Sequence, residues 1–397
     1  MKSIKKILSL LSILLVSLVL FGAVSAVSAA SSVITHTYAV GINPEDIAID
    51  TSGNVWVVNN GNGTAGTAVG DSNVTELSPN GRGGYTSATY TAGSSPYAIA
   101  IDTSGDVWVT NDHDQFIGTA SGDSHVTELS PSGKLIGTYT AGSNPRGIAI
   151  DAAGNVWVTN AGNGVVGNGN FVGVAKYYSC VTELSSSGKL IGTYNAGSTP
   201  EDIAIDAAGN VWIVDRPYAG SSGLTELNSF GDTVASGNMG FSTWGIAIGR
   251  TNTPWVTIEG SSVVAALNYS SLITHGMPVT YTTGGRPMGI AIDASGNVWV
   301  VNNGNGTAGT AVGDSNVMEL RPNGRGGYTS ATTYTAGIYP DAIAIDASGN
   351  VWVVNRGNNG TVGTAIGDSN VTELVRAAKG PQFWPYSGPQ FPGGGNY

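Results

Sequence analysis

Pro44-Glu45-Asp46-Ile47-Ala48-Ile49-Asp50-Thr51-Ser52-Gly53-Asn54-Val55-Trp56-Val57-Val58-Asn59 is the stretch that decides how this chain is read, because close copies of it return almost to the end. Its Asp recurs as Asp50, Asp102, Asp151, Asp206, Asp293 and Asp346, and six residues beyond each stands a Trp: Trp56, Trp108, Trp157, Trp212, Trp299 and Trp352. A seventh, degraded copy has Gly249 in the Asp position and keeps Trp255. Seven of the nine tryptophans therefore occupy one repeat position, at a period of 43 to 55 residues. Repeats of that length define the architecture before any local reading begins.

Each copy reads as four short strands. In the second, Pro96 to Ile101 is an apolar run, and Asp102-Thr103-Ser104-Gly105-Asp106 is a turn with Gly105 at its flexible point. Val107 to Asn111 and Val126 to Leu129 are the next strands, the second reached through a long Gly- and Asp-rich loop. Ser130-Pro131-Ser132-Gly133 then turns the chain into Lys134 to Thr140. Short runs of β-branched and aromatic residues bounded by Gly, Pro, Asn and Asp are strand signals, and no helical period is present. Four-stranded units of this period predict an all-β, seven-bladed β-propeller. Ile-Ala-Ile is apolar at successive positions, as a strand buried on both faces near the axis requires. The Trp is expected to fill the wider gap between blades.

The termini predict how the ring closes. The last copy stops after Val371-Thr372-Glu373-Leu374, one strand short, while Thr37-Tyr38-Ala39 near the start resembles the fourth-strand sequence Thr138-Tyr139-Thr140. The N-terminal strand is therefore expected to complete the last blade and remove its open edge. Domain boundaries follow: a signal peptide over 1–30, the propeller over 31–376, and a disordered Pro-, Gly- and aromatic-rich tail over 377–397 that repeats Gly-Pro-Gln-Phe. The signal rests on Lys2, Lys5 and Lys6 before the apolar run Ile7 to Val24 and on small residues at Val24-Ser25-Ala26 and Val27-Ser28-Ala29. It places the protein outside the cytoplasm, secreted or extracytoplasmic. Removing its three lysines takes the net charge from −11 to −14. With a pI near 4.6, that excludes nucleic-acid binding and membrane attachment beyond the export signal. One cysteine, Cys180, allows no intramolecular disulfide.

The pattern Pro-x-x-Ile-Ala-Ile-Asp-x-x-Gly-Asn-Val-Trp-Val, followed by Val-Thr-Glu-Leu-Ser-Pro-x-Gly, resembles the NHL-repeat propellers, especially the streptogramin B lyase branch and its secreted relatives. The resemblance spans residues 34 to about 375 and is specific for fold. For activity it implies a range: lyases, lactonase-like hydrolases and binding proteins without chemistry. In the lyase-like members it implies a His and acidic metal ligands at the central funnel.

The residue after the repeat Pro, or after Thr243 in the degraded copy, is expected to point into that funnel. There the copies diverge to Glu45, Tyr97, Arg146, Glu201, Trp244, Met288 and Asp341, with Asp46 and Asp202 beside two of them. None of His36, His113, His125 and His275 falls in this position, so no catalytic residue is assigned. A divalent cation, Ca2+ or Mg2+, is the one cofactor left open. It has two supports: His113 with Asp112 and Asp114, and the long-loop stretches Gly70-Asp71-Ser72-Asn73, Gly122-Asp123-Ser124-His125, Gly313-Asp314-Ser315-Asn316 and Gly367-Asp368-Ser369-Asn370. Gly53 to Asn73 is repeated residue for residue as Gly296 to Asn316, which suits a scaffold better than a unique catalytic centre. The expectation is a monomeric binding propeller for an extracellular protein or glycan, with a metal-dependent lyase- or lactonase-like enzyme as the alternative.

Overall fold

A computed structural model describes residues 33–61, 72–112, 124–162, 165–166, 178–216, 223–238, 242–267, 278–304, 315–357 and 369–375. The expected signal peptide and tail lie outside these residues, as do His113, His275 and the aspartates of the four Gly-Asp loops. The chain divides into a short unit, Met1–Ile34, and a body from Thr35 to Tyr397. Among the described residues every regular element is a strand.

The strands form seven sheets built on four antiparallel strands; six follow the chain in sequential order, and the seventh takes the N-terminal strand Ile34–Ala39 as its outer member. The first blade runs Pro44–Ile49, Val55–Asn59, Asn73–Pro79 and Tyr85–Tyr90. The third adds a two-residue strand, Val165–Val166, parallel to the start of Tyr178–Leu184. Each first strand packs on the first strand of the next blade, and Pro340–Ile345 of the seventh packs on Pro44–Ile49 of the first. The ring is closed, and the chain is a seven-bladed β-propeller.

The core lies between blades rather than within them. Trp56 and Val58 of blade 1, for example, pack with Ile99, Val107, Val109 and Leu129 of blade 2. The repeated Trp is fully buried in five copies and nearly so in Trp212 and Trp255. Truncating one to Ala would cost ~3–5 kcal/mol.

A hydrogen bond explains the six-residue spacing of Asp and Trp. The Asp turns the chain: Asp50 Oδ1 accepts the N–H groups of Ser52 and Asn54 at 2.8 and 2.9 Å, while Gly53 takes φ +82°, the left-handed region a side chain disfavours. Asp50 Oδ2 then accepts the Trp56 indole N–H at 3.2 Å. The same bond recurs at 3.1 to 3.3 Å in the other five Asp-bearing blades. The indole is thus buried without an orphaned donor, which would cost ~1–3 kcal/mol.

A Tyr of the fourth strand completes the unit. Tyr90 stacks on Trp56 at 5.6 Å and donates to Glu76 at 2.8 Å. Tyr139, Tyr194 and Tyr334 repeat both contacts, with Glu128, Glu183 and Glu319. In the last blade Tyr38 takes this place. The strand Ile34–Ala39 lies beside Asn370–Val375, Tyr38 stacks on Trp352 at 5.6 Å, and its hydroxyl donates to Glu373 at 2.9 Å. The N-terminal strand therefore closes the ring with the side chain every ordinary fourth strand would bring. Blade 4 departs from the rule: Gly237 lies opposite Leu224, where the other blades hold Tyr, and Glu226 Oε2 is buried without a hydrogen-bond partner.

Candidate functional site

Every first strand begins with a register irregularity just after its Pro or Thr. In blade 1 Pro44 pairs with Asn59 and Asp46 with Val58, leaving Glu45 as the extra residue. Such a bulge re-aims a side chain away from the sheet. In five blades it is preceded by a non-glycine residue at positive φ: Asn43, Ser95, Asn144, Arg286 and Tyr339. Each costs ~1–3 kcal/mol of backbone strain. Each is pinned by its carbonyl, which accepts an N–H from the residue after the second strand, as Asp112 donates to Ser95 at 2.9 Å and Arg356 to Tyr339 at 3.0 Å.

The bulges bring the divergent side chains together on the ring axis. Glu45, Asp46, Tyr97, Glu201, Asp202, Trp244 and Asp341 line one cavity of about 130 Å3. Arg146 adjoins it, lying 4.5 Å over the Tyr97 ring and pairing with Asp112 at 3.1 Å and Glu201 at 3.6 Å. Met288 is buried and is not among the residues that line the cavity; its carbonyl accepts the Thr257 hydroxyl at 2.7 Å.

The rim is a set of ion pairs between blades. Arg356 bridges Glu45 and Asp341, the latter at 2.6 Å. Tyr97 donates to Glu201 at 2.7 Å, and Asn43 to Glu45 at 2.8 Å. Arg216 lies 4.0 Å over the Trp244 ring and shares Glu259 with Arg286, at 3.0 and 2.9 Å. The sequence singles out the side chains after the repeat Pro, Asp46 and Asp202 beside two of them, and Asp112 as a candidate cation ligand next to His113. Arg356, Asp112, Arg216 and Glu259 share a second signal, standing one residue past each second strand, and that position diverges between copies just as strongly.

Asp46 and Asp202 also tie blades together. Asp46 accepts the N–H of Ile99 in the next blade at 2.9 Å and its neighbour Ile47 N–H at 2.8 Å. Asp202 does the same with Ile246 and Ile203. Blades 2, 3 and 5 have Ala98, Gly147 and Gly245 there, and the link is made instead by Thr110, Thr159 and Thr257, whose hydroxyls donate to carbonyls of the following blade. The two aspartates are thus one of two ways of stitching the ring, and at the same time the cavity floor.

Burial governs the charges here. It pushes Asp46 up to about 7, against the two backbone donors and with help from Asp202 and Asp341. It pushes Asp202 up to about 6 and Glu45 up to about 7, where Arg356 opposes it and Asp341 adds to it. Asp341 is also raised, by burial before all else and against Arg356. Both arginines are held firmly protonated: their carboxylate and tyrosine neighbours outweigh the burial that disfavours their charge.

His36 lies exposed on the closing strand and His125 begins a third strand, so neither described histidine lines the cavity. At the opposite end of the ring, Asp102, Asp106 and Glu128 each bring an oxygen within 4.8 Å of the others. Asp106 stands where most copies have Asn, whose amide donates to the turn Asp, as Asn54 does to Asp50 at 2.8 Å.

No family model matches the chain, and no curated protein is similar to it in sequence. Solved structures are similar in fold. The virginiamycin B lyase of Staphylococcus aureus superposes with TM-score 0.59 at 15% identity, over 87% of this chain and 100% of that one. A catalytically inactive form of the same lyase, with quinupristin, gives 0.60 at 16% identity, over 87% and 99%. The WD40 β-propeller domain of Doa1 gives 0.57 at 10% identity, over 87% and 96%. At such identities the likeness establishes the propeller and nothing of the chemistry.

Proposed function

We propose that this chain is an exported binding propeller that grips an extracellular protein or glycan at its axial cavity. The observation that carries the reading is the convergence of seven side chains from five blades on one cavity, with two aromatic rings held in place by arginines. Prepositioned Tyr, Trp and Arg side chains are the residue types that dominate binding energy at interfaces, and fixing them beforehand lowers the entropy lost on binding. The test is a glycan array and a peptide array probed with the full chain, followed by Trp244→Ala and Tyr97→Phe on every hit. Tyr97 packs partly into the core between blades 2 and 3, so Phe rather than Ala is the clean replacement. Trp244→Ala is expected to weaken binding by ~1–3 kcal/mol with little loss of stability. Hits bound equally well by both variants would remove the cavity face from consideration.

One observation favours a second reading. Glu45 and Asp46, pushed up to about 7, have the poise of a general acid–base pair, and the fold is shared with a lyase. Incubation with quinupristin, with and without Mg2+, followed by mass spectrometry decides it. Turnover abolished by Asp46→Asn would make the protein an enzyme.

A further inference from the structure

The cavity holds more acid than its own arginines answer. Arg356 serves Glu45 and Asp341, and Arg146 serves Asp112 and Glu201. Among the described residues, Asp46 and Asp202 on the floor accept only backbone N–H groups. Of the carboxylates lining the cavity, one keeps an acceptor without a donor, and the Nε groups of Arg146 and Arg356 beside the cavity are likewise buried without partners among the described residues. Asp341 is only 6% exposed, it lines the cavity, and its Oδ1 is buried with no hydrogen-bond partner among the described residues. A buried carboxylate oxygen without a donor is unfavourable unless something supplies one.

Size and spacing narrow what that something is. About 130 Å3 is close to the roughly 150 Å3 cavity that holds a benzene, the scale of a side-chain end. Among the described residues, the place where three candidate ligand atoms approach within 4.8 Å is Asp102, Asp106 and Glu128, at the other end of the ring. Among the described residues no three of the axial carboxylates bring oxygens within 4.8 Å of one another, as the shell of a single divalent ion, with oxygens at about 2.3–2.6 Å from the metal, requires. A planar cation with donors spread over several atoms spans such gaps. The rim already uses that unit: Arg356 bridges carboxylates of blades 7 and 1, Arg146 those of blades 2 and 4, and Arg146 and Arg216 lie over the two aromatic rings.

We infer that the axial cavity takes a guanidinium group from outside, donated to Asp341 Oδ1 and the floor carboxylates, either as an arginine side chain of a partner or as a free guanidino compound. This rests on the binding reading above and adds the chemistry of the group bound. A guanidinium matches carboxylates through paired N–H donors and packs on aromatic faces.

The experiment titrates the full chain by calorimetry and tryptophan fluorescence with three probes: agmatine, an acetylated and amidated Gly-Arg-Gly peptide, and the same peptide with neutral citrulline for arginine. The arginine peptide, agmatine or both should bind, and the citrulline peptide at least tenfold more weakly. Peptide binding alone identifies a protein side chain as the source, agmatine alone a small molecule. Asp341→Asn and Asp202→Asn should each weaken the binding about tenfold, whereas Asp106→Asn, which removes like charge at the far end, should leave it unchanged. Should both axial variants fail to fold, the wild-type comparison of arginine with citrulline still decides. Binding of neither cation, equal binding of citrulline, or displacement by equimolar Ca2+ would overturn the inference. If an array hit still depends on Trp244 while both cations fail to bind, the binding face stands and the guanidinium alone falls.

Discussion

Asp50 and Trp56 keep their spacing because one carboxylate does two jobs, closing the turn through Oδ1 and satisfying the indole through Oδ2. The amide of Asn54 holds that carboxylate from the side. Blade 2 replaces the amide with Asp106, whose carboxyl is raised by burial and by Asp102. An ionised Asp106 therefore works against folding. Its raised folded-state pKa means the loss is absent below the ordinary carboxylate range and complete once pH exceeds the folded value. Asp106→Asn should restore the amide bond and stabilise the protein by about 1 kcal/mol at pH 8, with the gain shrinking towards pH 4. Urea unfolding at the two pH values measures both. A variant no more stable than the parent at pH 8 would overturn this account of Asp106, and a Ca2+-dependent melting temperature of the parent is the separate test for a cation held by Asp102, Asp106 and Glu128.

The closing strand shows what was legible at the level of elements and what was not. Thr37-Tyr38-Ala39 could be matched to Thr138-Tyr139-Thr140, because a fourth strand has a recurrent sequence and the last blade visibly lacked one. That the Tyr is the reason, through its stack on Trp352 and its bond to Glu373, was not legible, since these partners are more than 300 residues away in the chain. The candidate site divides the same way. Residues after the repeat Pro could be found by comparing copies, whereas Arg356 and Glu45 meet only because the ring joins blade 7 to blade 1. Deleting residues 32–41 should abolish cooperative unfolding or cause aggregation, because it bares the edge of Asn370–Val375. Tyr38→Phe keeps the stack and loses the hydroxyl, and should cost about 1 kcal/mol. A truncated chain that melts like the parent would disprove closure by this strand.

At the scale of the whole ring, stability and the axial site are coupled through the carboxylates that stitch the blades. Asp46, Asp202 and Glu45 have folded-state values of about 7, 6 and 7, well above those of an unfolded chain. Asp46 faces the N–H groups of Ile47 and Ile99 and the carboxylates of Asp202 and Asp341. Glu45 faces Arg356, Asp341, Arg146 and Asn43, and Asp202 faces the N–H groups of Ile203 and Ile246 and the carboxylate of Glu201. Between about pH 4 and pH 7 the native state therefore holds protons that the unfolded chain has released. By linkage, stability falls as pH rises through that window. The melting temperature should be higher by a few degrees near pH 5 than at pH 8, and Asp46→Asn together with Asp202→Asn should flatten the difference. The same coupling gives a signature of the ligand. A guanidinium pairs with the ionised carboxylates, so agmatine should raise the melting temperature more at pH 8 than at pH 5, binding the native state where its axis is least well compensated. Scanning calorimetry at both pH values, with and without agmatine, measures the two effects together. A melting temperature that climbs steadily from pH 5 to pH 8 would mean that the axial carboxylates are ionised in the folded ring and are held by the arginines alone.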